Sequence, residues 1–492
     1  MLAVILTILI LPLAAGIGCL AVPARVAPVT ALTAVTAGSG IVSFALVLVL
    51  ASGVAHGALS ELSGYLTADA LSVIFLLATG FLYAVVAIYA AGYLKDRDAR
   101  YARRCCAGLN AFAWSMLAAP LLGSLALLWI AVEVTTIISA LLVAIEDTDQ
   151  AAEAAWKYVL IASAGLSLAL LGTVFAYYAG AQVLGEHYNL AVQPLVQAGR
   201  HLPQTPVRLA FLLAVLGYGT KVGLFPVHTW LPDAHSEAPT PVSALLSGSL
   251  LAVSFYAILR FYQVAAASLG SGFPRDTLLA FGVASLLLAS LCVFGQRDVK
   301  RLLAYSSVEH MGILAIGVSF GAPAALAGVL LHVLAHAAAK ASAFMGAGVF
   351  TVKYRTKEVT AMRDGMRLLP WSGPLFLLAV FALSALPPSG IFRSEFQIVA
   401  GGLASGGYAA AAILVILVTL AFFGLATSAT RMLLSPAPDA PGTPRIPPAG
   451  EPSAWMVVPV LAGLAVLFLL GIHPPAELTS LIARASAQLG AS

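Results

Sequence analysis

Runs of about twenty apolar residues recur from one end of this chain to the other, and they decide what it can fold into. A helix crossing the hydrocarbon core of a bilayer needs roughly 20 such residues. LLWIAVEVTTIISALLVA (127–144) is one of them. Only 9% of the 492 residues are charged and 61% are hydrophobic, against about 25% charged in a soluble domain. No water-soluble fold of this length hides so much apolar side chain, so lipid is the solvent for most of it.

Run length predicts an all-α, polytopic membrane protein of about 14 transmembrane helices, near 2–22, 29–53, 69–92, 105–119, 121–145, 155–180, 207–226, 240–266, 276–295, 300–319, 323–351, 372–400, 409–434 and 454–472. The first run lacks a positive n-region, so it reads as an uncleaved span and not a signal peptide. Lys and Arg mark the cytoplasmic side of a membrane protein. With the N-terminus outside, 17 of the 25 Lys and Arg fall in inner loops, Arg25 and Arg445 among them, and 5 fall outside. Both termini are then expected to be periplasmic, in a bacterial inner membrane. The Pro-rich stretch 436–452 reads as a cytoplasmic linker before the last helix. A net charge of +4 spread over loops offers no basic face for nucleic acid. The four cysteines lack ligand spacing, and no Gly-rich nucleotide motif is present. No iron–sulfur cluster, flavin, nucleotide or metal of the chain's own is expected.

Three cations, Lys221, Lys340 and Arg393, fall inside predicted spans, as do several acids. A charge at the bilayer centre costs about 2.5–3.5 kcal/mol on insertion scales, so these positions are where function is to be sought. Glu133 lies mid-span, as a proton site or as half of a structural ion pair. Lys221 precedes Pro226 and can load and release a proton. The two are of opposite sign and each is alone in its helix, so they are expected to face each other. His332, His336 and Lys340 stand four apart and share one helix face. They read as a proton relay, as two satisfied core histidines beside a snorkelling lysine, or as a zinc site, for which His-x3-His is suitable but no third ligand is evident nearby. Glu309 and His310 begin another polar patch. His228 opens HTWLPDAHSEAPTP (228–241), whose Asp233 and Glu237 read equally as loop formers or as members of a proton path.

Arg393 and Glu395 follow ALPPSGIFRSEF, where Pro387, Pro388 and Gly390 cannot continue a regular helix. Such breaks survive at membrane depth only inside protein or beside a water-filled cavity. Pro226 supplies a matching break after Lys221. Broken helices in corresponding places of two halves point to inverted repeats around an ion path. The expected divisions are 1–103, a five-helix set at 104–267, a second at 268–435, and the remainder at 436–492, with helices 7 and 12 broken.

GTKVGLFPVHTWLPDAHSEAPTPVSALLSG (219–248) closely resembles the signature of the antiporter-like subunits of respiratory complex I and of Mrp-type cation/proton antiporters. DVKRLLAYSSVEHMG (298–312), HVLAHAAAKASAFMGAG (332–348) and LPPSGIFRSEF (386–396) follow in the order that family has them. Finer features resemble the F component of hydrogenase-4 and formate hydrogenlyase-type complexes. The resemblance implies two inverted five-helix half-channels, a polar axis of Lys, His and Glu, and proton translocation without catalysis by the chain itself. It implies assembly with other membrane subunits and a peripheral redox arm. An Mrp-type or stand-alone cation/proton antiporter is the alternative; a passive membrane anchor is the third reading. By the same resemblance Glu133, Lys221, the His332–His336–Lys340 stripe and Glu395 take the family's proton-path positions. Two departures stand out. Ala252 occupies the position of a helix-8 lysine that links the half-channels, and the long lateral C-terminal helix of some relatives is missing.

Overall fold

A computed structural model describes residues 1–23, 28–55, 57–436 and 448–490. Arg25, Arg445 and most of the Pro-rich linker lie outside the described residues. The chain opens with α1 (Leu2–Ala21) and α2 (Val29–Val54), then an antiparallel hairpin of β1 (Leu59–Glu61) and β2 (Leu66–Ala68) with Leu59 opposite Ala68. Next come α3 (Ala70–Tyr93), α4 (Ala99–Ala118), α5 (Leu125–Val143), α6 (Asp149–Leu184), the short α7 (Val192–Ala198), α8 (Gln204–Val222), the short α9 (Trp230–Glu237) and α10 (Thr240–Leu245). A π-turn over Leu246–Leu250 joins α10 to α11 (Leu251–Leu269). Then follow α12 (Gly272–Cys292), α13 (Val299–Phe320), α14 (Pro323–Tyr354), the short α15 (Gly365–Leu368), α16 (Ser372–Leu383), α17 (Gly390–Ala404), α18 (Tyr408–Leu434), α19 (Ala454–Ile472) and α20 (Ala476–Gly490).

This is a polytopic all-α membrane protein, and the apolar runs picked out in the sequence are mostly helical. Helices prevail because lipid offers the backbone no hydrogen-bond partners, so each span must bond internally. Among the described residues, eleven helices are long and apolar enough to cross a membrane. Three predicted spans fall outside that set. The helix α4 begins at Ala99, earlier than apolarity alone placed it, because Asp98 caps Arg100 N; it thus takes Arg100, Arg103 and Arg104 into its first turns. The helix α8 carries Arg208 and Lys221. The predicted twelfth span is two short helices, α16 and α17, separated by residues 384–389.

The central helices α3, α10–α11, α13 and α14 are buried along most of their length, while α1, α2, α6, α12, α18 and α19 present much of theirs outward. Packing between α6 and α8 is close because both present glycine there. A Cβ on Gly217 would sit 2.6 Å from the Gly165 carbonyl oxygen, so only hydrogen fits.

Asp233 pairs with Arg301 at 2.6 Å and with Lys157 at 3.6 Å, and Glu237 pairs with Lys357 at 2.8 Å. With Arg97–Glu146 at 3.3 Å and Arg104–Asp147 at 3.1 Å, these ion pairs collect the loop regions around 97–104, 146–157, 233–237, 301 and 357 at one basic face. At the opposite face Asp69, which caps α3, accepts two bonds from Arg260 Nη2 at 2.7 and 2.8 Å. Both residues are buried. The helix α20 was not expected from the sequence. It packs on α3 and α14 with Leu481, Ile482, Ala485 and Leu489 inward.

Candidate functional site

Lys221 sits on the last turn of α8 with no solvent exposure. Gly223, at φ +81°, ends the helix in a left-handed conformation that only glycine takes without strain. Non-helical residues, Pro226 among them, then lead to α9. The Lys221 ammonium donates to Thr136 Oγ1 of α5 at 2.9 Å and to the Tyr158 hydroxyl of α6 at 2.7 Å. Tyr158 OH lies 2.7 Å from Ser139 Oγ, whose own proton goes to the Thr135 carbonyl at 2.5 Å. Donors and acceptors therefore run one way: ammonium, phenol, serine, carbonyl. The Tyr158 ring is held against Trp230 of α9, 4.3 Å between centroids, and Trp230 donates to the Thr220 carbonyl.

Glu133 stands near Lys221, on the helix that bonds it, but makes no direct ion pair with it. It lies one turn before Thr136 on α5, is partly exposed, and accepts from Ser163 Oγ at 3.1 Å. Its Oε2 is buried without a partner. The two charges still interact through space. Charge complementarity pointed to a pair, but hydroxyl groups occupy the ammonium's bonding sites.

Lys340 is also fully buried, on α14. It donates to the Leu303 carbonyl at 3.0 Å and to Ser306 Oγ of α13. Glu309 stands three residues past Ser306, so both lysines are held by a hydroxyl with a glutamate one turn away on the same helix. The helical pitch of α14 carries His336 and His332 on from Lys340. His310 of α13 joins them, its ring 5.1 Å from His332 and 5.2 Å from His336. His310 Nδ1 is 3.0 Å from His332 Nε2, and His332 Nδ1 is 2.9 Å from Ser394 Oγ of α17. Glu395, next to Ser394, is buried, and it lies with His310 and His332 within 4.8 Å, ligand atom to ligand atom. Through-space interactions join Lys340 to Glu309 and Glu309 to Glu395. The six groups Lys340, Glu309, His336, His310, His332 and Glu395 form one buried cluster drawn from three helices.

The break before Glu395 is well defined. Pro387 and Pro388 lie in it; Ser389 caps α17 by accepting from Phe392 N, and also donates to the Ala382 carbonyl. Gly390 is therefore the first residue of α17 and not part of the break. Arg393 points elsewhere, to the Gly471 and Ile472 carbonyls that end α19.

Among the described residues no hydrogen bond joins His228 to either lysine; its Nδ1 is buried without a partner beside Phe225. Asp233 and Glu237 hold α9 at the basic face by the ion pairs above. His235 was passed over in the sequence. It is fully buried, both ring nitrogens lack partners, and it stacks on Phe344 of α14, 5.3 Å between centroids. Phe344 is the next member of the stripe 332, 336, 340. Burial first, then the charges of Lys340 and Lys300, push the His235 imidazole down to about 3. That spacing was the signal available in the sequence, but an aromatic residue closed the stripe and hid it. Ala252 is buried in apolar core. Among the described residues no hydrogen-bonded side chains connect the Lys221 and Lys340 clusters.

The family model described as NADH:quinone oxidoreductase/Mrp antiporter, transmembrane, matches residues 123–422. The chain belongs to this family. It is 33% identical to a hydrogenase-4 component F homologue of Methylacidiphilum infernorum, over 83% of this chain and 85% of that one. Identity to the NADH-quinone oxidoreductase subunit N of Desulforudis audaxviator is 30%, over 78% and 77%. The fold is similar to a chain of the Mrp complex from Dietzia sp., with TM-score 0.85, 21% identity and 99% and 97% coverage. It is also similar to a chain of respiratory complex I from Thermus thermophilus, with TM-score 0.81, 23% identity and 99% of both chains covered. As in the sequence motifs, the family match spans both lysine clusters.

Proposed function

We propose that this chain conducts protons through the membrane as one subunit of a redox-driven complex of the hydrogenase-4 or complex I kind. The observation that carries the reading is the build of the two lysine sites. Each ammonium is fully buried, is bonded to hydroxyl or carbonyl oxygens and not to a carboxylate, and has a glutamate one turn off its hydroxyl partner. Such a site can lose its proton without breaking an ion pair, and a shift in the nearby carboxylate changes its charge by Coulomb interaction. Protons enter from the basic face, taken as cytoplasmic, past His235 to Lys340. They pass by Glu309 and the three histidines to Glu395 and the opposite side. Glu133 and Lys221 form the corresponding site in the first of two inverted repeats, 104–267 and 268–435. Water carries the proton between the halves where Ala252 cannot. Partner membrane subunits and a peripheral redox arm, in a bacterial inner membrane, supply the driving force.

The test is the complex reconstituted in vesicles. Lys221→Ala and Lys340→Ala are expected to abolish redox-driven proton uptake while electron transfer continues. Undiminished uptake in both variants defeats the reading. Uptake that needs Na⁺ and vanishes in choline would favour the antiporter alternative.

A further inference from the structure

We infer that His310, His332 and Glu395 form a binding site for one divalent transition-metal ion of the zinc type, and that the bound ion plugs the histidine cluster. The sequence offered His332 and His336 with no third ligand. The fold supplies two others from different helices, His310 on α13 and Glu395 on α17, with one ligand atom from each of the three residues inside 4.8 Å. Two imidazoles and a carboxylate are a zinc donor set that leaves the fourth position open.

Three details favour ligation. The first is spacing: His310 Nδ1 and His332 Nε2 stand 3.0 Å apart, close to the roughly 3.3 Å between two nitrogens on a tetrahedral zinc with bonds near 2.0–2.1 Å. The second is a built orienting group. Metal-bound histidines commonly donate their other N–H to a fixed acceptor. Ser394 Oγ gives its own proton to the Ile391 carbonyl at 2.8 Å, so it can only accept from His332 Nδ1. That fixes the tautomer and leaves the His332 Nε2 lone pair facing the site. The third is unused capacity. His310 Nε2 is buried and unpartnered, so the ring can move its proton there and turn a bare Nδ1 to the metal. Glu395 keeps 7% exposure while His332 has none, which makes the carboxylate the accessible edge.

A bound cation takes the lone pairs of His310 and His332 that proton hopping would use. The site itself stands on ligand geometry; only the plugging rests on the proton-conduction reading.

The full-length chain in lipid nanodiscs, stripped with chelator and titrated with ZnCl₂, tests the site, and redox-driven proton uptake by the complex in sealed vesicles with and without ZnCl₂ tests the plugging. One zinc per chain is expected, with X-ray absorption showing two imidazoles and oxygen ligands. His332→Gln and Glu395→Gln should each lower affinity at least about 100-fold, and Ser394→Ala by about 10–100-fold, the range for groups that orient a ligand. The exposed His473→Ala should change nothing. The site is overturned if no zinc is retained, if fewer than two imidazoles bind, or if the His332 and Glu395 variants, with wild-type helicity and melting, bind as wild type does. Zinc bound as described while proton flux continues would overturn the plugging and leave the site standing. A zinc-free complex that takes up no protons in vesicles would count against the functional reading alone.

Discussion

Replacing Tyr158 by phenylalanine removes one oxygen from the Lys221 site and little else. The ring keeps its place against Trp230. Ser139 loses a neighbour but still donates to the Thr135 carbonyl at 2.5 Å, so no second donor is orphaned. The cost falls on the ammonium, which drops from two hydrogen bonds to the single bond with Thr136. A hydrogen bond to a charged group contributes about 1.5–3 kcal/mol. At 1.4 kcal/mol per decade, the site's affinity for its proton falls by roughly 10- to 150-fold. Redox-driven acidification of reconstituted vesicles, followed with a pH dye, should slow by about tenfold or more on that scale, with electron transfer retained. Thr136→Val removes the other bond and should act by a similar amount, and the double variant should be inactive. A Tyr158→Phe rate within about twofold of wild type, under a third of the 1.4 kcal/mol that makes a decade, would show that hydroxyl bonding does not set the proton's stability at Lys221. The chain's route would then have to run elsewhere.

Two further outcomes follow from the same kind of bookkeeping. Asp69→Asn keeps the cap on α3 but leaves the Arg260 guanidinium buried without its counter-ion, so unfolding in detergent should ease by about 3–5 kcal/mol. Arg260→Met added to it should recover much of that loss, and a double variant no more stable than Asp69→Asn would refute the pairing argument. His235, held down at about 3 by burial and then by Lys340 and Lys300, stays neutral in the folded protein, while the unfolded chain protonates it below about pH 6.5. The folded state is thus fully stabilised above that pH and loses stability as pH falls, by about 2 kcal/mol between pH 7.5 and 5.0. His235→Gln should flatten the melting profile by that amount over this window; an unchanged profile would mean that the ring is hydrated.

Spans and the Pro387–Pro388 break were legible in the sequence because each is a one-dimensional signal: run length, or a residue that cannot bond. The stripe His332, His336, Lys340 was legible for the same reason, since helical pitch is local. What opposes a stripe is not local. Lys221 was matched to Glu133 by sign, yet Thr136 and Tyr158 fill its bonding sites, and nothing in an uncharged hydroxyl or a tyrosine marks it as a lysine's partner. The third ligand for the histidines was sought along the chain, while Glu395 arrives from α17, 63 positions after His332, through a helix that restarts at Ser389. The helix α20 was hidden by its modest apolarity, although Leu478, Leu481, Ile482, Ala485 and Leu489 keep a helical spacing. The pairing of Lys221 failed for a reason of its own. Sequence weighting favours charges, because an unpaired buried charge is costly, whereas the fold meets that cost here with neutral oxygens. In a chain whose task is to let a proton leave, neutral partners are the ones that do not hold the charge in place. On the proposed function, the neutral partners that defeated the sign-based pairing are also what would let a proton leave Lys221.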